Sequence, residues 1–159
     1  PLETCQTMNN SWGYNITDRR YKSADELVRY LVRTASKGAN LLLNIGPRPD
    51  GTLPEEALTR LEEMGKWLAV NGESIYGTQA GSIPEQPWGV TTQKGNKLYL
   101  HLFRPQPELT LELPGKVRSA VLLADGTPVS FKQKKGTVTL TIPEPTAATP
   151  DQVVTLEFR

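Results

Sequence analysis

The side chains most often used in catalysis are scarce in this chain of 159 residues, which has one histidine and one cysteine. Together these two residues cannot supply a zinc site, and a single cysteine excludes an internal disulfide. His101 lies in an alternating strand pattern and no G-x-S-x-G turn precedes it, so the sequence gives no support for a Ser-His-Asp triad. Cys5 has no histidine or basic pair nearby that would stabilise a thiolate, and we expect it to be a small buried side chain.

Charge and hydropathy exclude two classes of partner. Lysine and arginine number 18 and aspartate and glutamate 17, so the net charge of +1 gives no electrostatic basis for binding nucleic acid or a membrane surface. The longest apolar run is far shorter than the roughly 18 residues needed to span a bilayer. Hydrophobic residues make up 37% of the chain, which is enough to build a core.

Residues 1–77 carry the signals of a mixed α/β segment. Ser23-Ala24-Asp25-Glu26 is a capping box, which predicts a helix from there to about Ser36, with Gly38 as its left-handed stop. The following run, residues 40–45, is continuously apolar and ends at Gly46-Pro47. Such a run is typical of a strand buried on both faces in a parallel sheet.

A second helix is predicted to begin at Thr52-Leu53-Pro54-Glu55, which also has the form of a capping box, and to end at Asn71-Gly72. Trp67 flanks its apolar stripe, which consists of Leu58, Leu61, Met64, Gly65 and Leu68. A helix, a buried strand and a helix are the repeat unit of a βα fold.

From about residue 78 the hydrophobic period changes from 3.6 to 2, which is typical of half-buried strands. Seven short strands at regular spacing favour a small antiparallel β-sandwich in residues 78–159, with Trp88 at its entrance as a contact to the first segment. The predicted strands are residues 90–93, 97–103, 108–113, 117–123, 129–133, 137–142 and 153–158. The single parallel strand of residues 1–77 needs partners, and we expect them upstream or in another chain.

Several short motifs occur here in an order that resembles the end of the catalytic domain of the α-L-fucosidases of glycoside hydrolase family 29. The β-rich tail also matches the C-terminal sandwich of that family in position and kind. The motifs are Glu3-Thr4-Cys5, residues 8–15 (MNNSWGYN), residues 38–47 (GANLLLNIGP), Asp50-Gly51, residues 65–68 (GKWL) and residues 71–77 (NGESIYG).

This resemblance implies the closing βα units of a (β/α)8-like barrel, followed by the sandwich, and hydrolysis of terminal α-L-fucose with retention. Retention uses two carboxyl groups about 5–5.5 Å apart, and no metal or organic cofactor is needed. In the family the nucleophilic aspartate lies on a middle strand, upstream of the first residue here. We therefore expect this chain alone to be inactive, to require the remainder of the barrel, and to meet fucosylated glycans outside the cytoplasm.

Glu3 matches the glutamate of the family's Trp-Glu-Thr-Cys motif, although Leu2 replaces the tryptophan. Barrel enzymes carry functional groups at the carboxyl ends of their strands, so Glu3 is the candidate acid/base in this chain. The alternative is that it hydrogen-bonds a loop or another site residue, with the acid/base also upstream.

Trp12 corresponds to the family's aromatic residue that lines the fucose pocket. An indole face packs well on the C–H surface and the methyl group of fucose, so we predict that Trp12 contacts substrate. The alternative is that Trp12 packs in the barrel core. Asn44 could face the same pocket, but a hydrogen bond between strands is the stronger expectation.

Two further roles remain open for residues 78–159. The sandwich could bind carbohydrate, for which Tyr99, His101 and Phe103 share one strand face, or it could only shield the last barrel helices. The leucines at 98, 100 and 102 occupy the opposite face, and one of the two rows must fill the core. We favour the structural role.

Overall fold

Two α-helices and ten β-strands form the structure of residues 2–159, which are the residues described by this computed structural model. The helices are α1 (Ala24–Ser36) and α2 (Glu55–Asn71), the latter continued by a 3₁₀ turn, Gly72–Ser74. The strands are β1 (Leu2–Thr7), β2 (Ala39–Asn44), β3 (Gln79–Ala80), β4 (Gly89–Lys94), β5 (Lys97–Leu102), β6 (Glu108–Glu112), β7 (Val117–Leu122), β8 (Ser130–Lys134), β9 (Thr137–Thr141) and β10 (Gln152–Phe158).

Helix α1 begins and ends where its local sequence predicts. The Ser23 hydroxyl accepts from the Glu26 amide at 3.2 Å, and the Glu26 carboxylate accepts from the Ser23 amide at 2.7 Å. This backbone hydrogen bond lowers the pKa of Glu26. At the other end Gly38 has a φ of +69°, a conformation that glycine adopts without a steric cost.

The predicted capping box at the start of α2 is wrong, because Thr52 donates to Asp50 and does not cap the helix. The Thr52 hydroxyl and amide both donate to the Asp50 carboxylate, at 2.7 and 2.9 Å, so that Pro54 is the N-cap and makes no side-chain cap. The predicted apolar stripe is correct in part: Met64 is buried and Leu68 is partly buried, whereas Leu58 and Leu61 are exposed. The other buried residues of α2 are Ala57, Trp67 and Asn71.

Strands β1 and β2 form the parallel pair, in a register that places Leu2 opposite Ala39 and Thr7 opposite Asn44. The parallel direction was predicted for β2, but burial on both faces was not observed, since Leu42 is 52% exposed. Helix α1 packs on β2, and the exposed residues alternate with partly buried ones along that strand. Cys5, opposite Leu42, is exposed as well, which corrects the expectation that it would be buried.

All seven strands predicted in residues 78–159 are present, in two antiparallel sheets. The five-stranded sheet has the order β3-β4-β5-β10-β7 and the three-stranded sheet the order β6-β9-β8. One core lies between the two sheets and includes Leu98, Leu100 and Leu102. Trp88 also belongs to this core, so its predicted place between the two segments is wrong.

The five-stranded sheet is buried on both faces rather than on one. Its second face shares a core with the helices, to which the sheet contributes Val90, Tyr99 and Val153. The remaining buried members of that core are Met8, Leu27, Val28, Val32, Ala57, Met64 and Trp67. The helices, the five-stranded sheet and the three-stranded sheet therefore form three layers.

Polar contacts reinforce the packing of the helices on this sheet. Arg29 of α1 donates to the carbonyls of Pro150 and Phe103, at 2.9 and 3.3 Å, and the Arg33 guanidinium lies 4.7 Å from the centre of the Phe103 ring. Tyr99 and His101 are completely buried. The row of side chains considered for carbohydrate binding therefore packs against the helices. Across residues 2–159, no helix has the length and apolar character of a membrane span.

Candidate functional site

The carboxyl ends of β1 and β2 meet at one edge of the parallel pair, because the register places Thr7 directly opposite Asn44. In parallel α/β sheets, ligands bind in the space beyond the carboxyl ends of the strands. Two connecting segments begin there, residues 9–22 after β1 and residues 45–54 after β2. We call the first of these the Trp12 loop.

The base of the Trp12 loop is closed by Lys22. Its ammonium group donates to the carbonyls of Thr7 and Asn9, at 2.8 and 3.2 Å, and its amide donates to the Met8 carbonyl at 2.8 Å. Met8 is buried in the core of the helical layer. The loop is thereby tied to both the strand end and the hydrophobic core.

Asp18 organises the upper part of the loop. Its carboxylate accepts from the Ser11 hydroxyl at 2.8 Å, from the Asn10 amide at 2.9 Å and from the Arg20 amide at 3.3 Å. These hydrogen bonds, that from Ser11 foremost, lower the pKa of Asp18. Asp18 is thus a fixed acceptor for loop donors on both sides of Trp12.

Trp12 itself projects from this scaffold with 62% of its surface exposed. Its carbonyl accepts from the Asn44 side-chain amide at 2.7 Å, which ties the loop to the carboxyl end of β2. Gly46 allows a second close approach, since a Cβ there would lie 2.6 Å from the Gly13 carbonyl carbon. Within the described residues, the backbone at Trp12 is therefore held in place, and its indole is exposed and not part of the core.

Glu3 lies elsewhere. It is exposed and pairs with Asn40 near the amino end of β1, four residues before Thr7, which corresponds to about 13 Å along a strand. The two-residue alternation of a strand places Glu3 on the same face as Cys5 and Thr7. The structure therefore does not bring the two candidate site residues, Glu3 and Trp12, together.

The contact from Asn44 to the Trp12 loop was not anticipated from the sequence, which favoured a bond between strands. The available signal was a polar residue at the end of an apolar strand, but its partner lies 32 residues away in the sequence. Asp18 and Ser11 were also missed. In the part of the chain that the structure describes, no three His, Cys, Asp or Glu side chains are grouped closely enough to hold a metal ion.

Comparison with known proteins shows that this chain is similar to members of one family. Residues 1–73 match the family model described as alpha-L-fucosidase. The chain is 39% identical over 145 residues to the plasma alpha-L-fucosidase of Pongo abelii, a match that covers 81% of this chain and 30% of that protein. An alpha-L-fucosidase of Dictyostelium discoideum is 36% identical over 106 residues, which cover 64% of this chain and 23% of that protein.

Solved structures resemble the whole of the described fold. Alpha-L-fucosidase isoenzyme 1 from Paenibacillus thiaminolyticus has a TM-score of 0.90 and 38% identity, and the match covers 99% of this chain and 39% of that one. A GH29 alpha-L-fucosidase from Bacteroides thetaiotaomicron, trapped as a covalent intermediate with 2-fluoro-fucosyl fluoride, has a TM-score of 0.89 and 25% identity over 99% of this chain and 38% of that one. The matches therefore cover from 23 to 39% of the length of these relatives.

Proposed function

The chain belongs to the α-L-fucosidase family, and we propose that it is the C-terminal portion of a retaining α-L-fucosidase that removes terminal α-L-fucose from glycans. The observation that carries this proposal is the position of Trp12, an exposed indole held where two parallel strands end. The substrate is a fucosylated glycan or oligosaccharide, and neither nucleic acid nor a membrane is a partner.

We further propose that residues 1–77 are the closing βα units of a (β/α)8-like barrel and that residues 78–159 are its C-terminal β-sandwich. Parallel pairing of β1 with β2 through the intervening helix α1 supports the first part. The exposed apolar side chains Leu2, Tyr30, Leu42, Leu58 and Leu61 support packing of the remainder of the barrel against this segment. The remainder of the barrel is therefore the second proposed partner of this chain, beside the fucosylated glycan.

In a retaining mechanism one carboxylate attacks the anomeric carbon while a carboxylic acid about 5–5.5 Å away protonates the leaving oxygen. We propose that the nucleophile comes from the barrel segment outside this chain, so that the chain alone is inactive. Because a pair of carboxyl groups suffices for this chemistry, no cofactor is required. We propose an extracytoplasmic location for the protein, which is what the family resemblance implies.

Trp12 is the proposed substrate-binding residue. Its indole face would pack on the C–H surface and the methyl group of fucose, which buries apolar area without using a charge. Asn44 and Asp18 are positioning residues in this scheme, because they hold the loop backbone at Trp12 and at Asn10. A fixed loop backbone places the indole at the strand ends and reduces the entropic cost of ordering the loop on binding.

Two roles remain for Glu3, that of the acid/base and that of a carboxylate that hydrogen-bonds a loop or another site residue. Its position near the amino end of β1, about four residues before the strand end that carries the Trp12 loop, supports the second role. For the β-rich layer, burial of Tyr99 and His101 against the helices supports the structural role over carbohydrate binding.

Replacing Trp12 by alanine in the complete enzyme is expected to reduce kcat/KM for an aryl α-L-fucoside by about 10- to 100-fold, the loss of one aromatic contact of roughly 1.5–3 kcal/mol. Steady-state kinetics give the measurement. Trp12→Phe keeps an aromatic face and should retain most of the activity, and Trp67→Phe, in the buried core, is the control for a general effect of losing an indole. Unchanged kcat/KM in Trp12→Ala would contradict the proposal.

A further inference from the structure

An open cavity lies at the carboxyl edge of the parallel pair, between the Trp12 loop and the segment that joins β2 to α2. The side chains that carry hydrogen-bonding groups enter it from both sides. Tyr14, Arg19 and Tyr21 line the cavity from the loop, and Arg48 and Glu56 line it from the other segment and the first turn of α2. Both walls therefore belong to the edge of the sheet at which the candidate site lies.

We propose that this cavity binds the leaving saccharide of the substrate, that is, the neutral sugar to which the terminal fucose is linked. The inference rests on the proposed function, because it takes Trp12 as the residue that contacts fucose. It adds the side chains that recognise the group on the other side of the scissile bond, and it assigns that group to the class of neutral saccharides.

The cavity is adjacent to the proposed fucose contact. Tyr14 follows Trp12 by two residues, so their Cα atoms are at most about 7 Å apart, which is comparable to the width of a sugar ring. The two connecting segments also touch here, since a Cβ on Gly46 would lie 2.8 Å from the Tyr14 amide nitrogen. A disaccharide whose fucose packs on Trp12 can therefore place its second ring at the cavity.

The wall formed by the loop is ordered by its own hydrogen bonds. The Asn15 side-chain carbonyl accepts from the amide and the hydroxyl of Thr17, at 3.0 and 2.8 Å, and the Asn15 backbone carbonyl accepts from the Asp18 amide at 3.1 Å. The Asp18 carboxylate in turn accepts from the Ser11 hydroxyl at 2.8 Å. This part of the loop is thus a closed turn beside Tyr14.

The opposite wall is ordered by Arg48. Its guanidinium donates to the Leu53 carbonyl at 2.9 Å and to the Thr52 hydroxyl at 3.4 Å, and its amide donates to the Thr52 carbonyl at 2.7 Å. Among residues 2–159, the side-chain hydrogen bonds use only Nη1 of Arg48, so the N–H groups on Nε and Nη2 are free to bind a ligand. Because both walls are already ordered, little entropy is lost when a ligand binds between them.

Three polar groups of the cavity have no hydrogen-bond partner among residues 2–159. They are the Arg19 guanidinium, the Tyr21 hydroxyl and the Glu56 carboxylate. Burial, together with the nearby Glu56 carboxylate, raises the pKa of Tyr21, so its hydroxyl keeps its proton and remains a donor. Guanidinium and hydroxyl donors beside a carboxylate acceptor match the hydroxyl groups of a sugar, each of which both donates and accepts.

The charges around the cavity favour a neutral ligand. Two carboxylates, of Asp18 and Glu56, are balanced by two guanidinium groups, of Arg19 and Arg48. This balance provides no net attraction for an anionic or a cationic group. The two tyrosine rings add apolar surface, on which the C–H face of a sugar packs. A neutral saccharide therefore fits both the charge and the polarity of the cavity.

Two substrates of the complete enzyme distinguish this subsite from the fucose contact. Fucosyllactose is neutral and carries a leaving saccharide, whereas a nitrophenyl α-L-fucoside has no second sugar. Arg19→Met removes every N–H donor of an exposed side chain, and we expect kcat/KM for fucosyllactose to fall about 10-fold relative to kcat/KM for the nitrophenyl fucoside. Arg118→Met, at an exposed arginine of β7, is the matched control and should leave this ratio unchanged.

The ratio of the two kcat/KM values decides the outcome. A smaller loss in the same direction is expected for Tyr21→Phe, which removes one hydroxyl donor. An equal effect of Arg19→Met on both substrates, or no effect on either, would overturn the subsite and leave the proposed function intact. An unmodified enzyme that hydrolyses neither substrate would refute the proposed function, and the subsite with it.

Discussion

Asp151→Ala is expected to lower the free energy of unfolding by about 2–3 kcal/mol, toward the upper end of the cost of leaving a buried polar group unsatisfied. Nδ1 of His101 would lose the carboxylate that lies 2.6 Å away, in a site where neither side chain has any exposed surface. The buried ring nitrogen would then have no hydrogen-bond partner. Urea unfolding followed by tryptophan fluorescence measures the change.

Asp125→Ala is the matched control, because Asp125 is an exposed aspartate that accepts only from the nearby Thr127 amide at 2.9 Å. It should cost less than about 1 kcal/mol. The double variant His101→Gln/Asp151→Asn replaces both members of the pair and should cost less than the sum of His101→Gln and Asp151→Asn measured separately. Equal losses for Asp151→Ala and Asp125→Ala would show that the buried pair contributes nothing specific.

Residues 78–159, produced without the first segment, are expected to lose their cooperative unfolding transition or to self-associate. In the intact chain, one face of the five-stranded sheet is covered by α1 and α2, and it carries Val90, Tyr99, His101 and Val153 with at most 3% of their surface exposed. Separation would expose this row as a contiguous apolar patch and leave the Asp151–His101 pair open to solvent. Sedimentation and thermal unfolding give the measurement.

A chain cut between Gly77 and Thr78, with both pieces present, is the control for this experiment. Gly77 has a φ of +70° and is exposed, so a break there removes no buried contact. The two pieces should remain associated and unfold together. A monomeric 78–159 piece that unfolds as sharply as the intact chain would show instead that the sheet layer is independent of the helices.

The elements with strong local signals are those that the sequence predicts well. Helix α1 has both halves of its capping box at Ser23 and Glu26, and all seven strands from β4 to β10 carry an alternating pattern between turn residues. Strand β1 was missed because residues 2–7 are mostly polar and show no hydrophobic period. Its place depends on pairing with β2, which lies more than 30 residues away in the sequence.

The sequence-based predictions failed where two hydrogen-bond partners compete for one residue, or where a layer distant in the sequence covers the face of a strand. Thr52 has the spacing of an N-cap, but its amide and its hydroxyl both donate to the Asp50 carboxylate, and the N-cap of α2 is Pro54. The leucines and the polar row of β5 alternate as in a half-buried strand, yet the helices cover the second face as well. A period of two shows which residues share a face of a strand, but it does not show which layer covers each face.

The candidate site was likewise predicted in part. The resemblance of short motifs pointed to Trp12, and the structure holds that residue in the open at the ends of two strands. The contacts that Asn44 and Asp18 make with the loop backbone join side chains to main-chain atoms and have no periodic signal in the sequence. Likewise, 50 residues separate Asp151 from His101, and no local pattern relates them.

We propose that this chain supplies one wall of a fucosidase site whose nucleophile lies in the rest of the barrel. Hydrolysis of an aryl α-L-fucoside by the purified 159-residue chain, with the complete protein as the positive control, tests this claim most directly. We expect no release of the aryl group by the chain beside an active complete protein. Fucose release by the chain alone, abolished by Glu3→Gln, would contradict the claim and place the catalytic carboxylates within these residues.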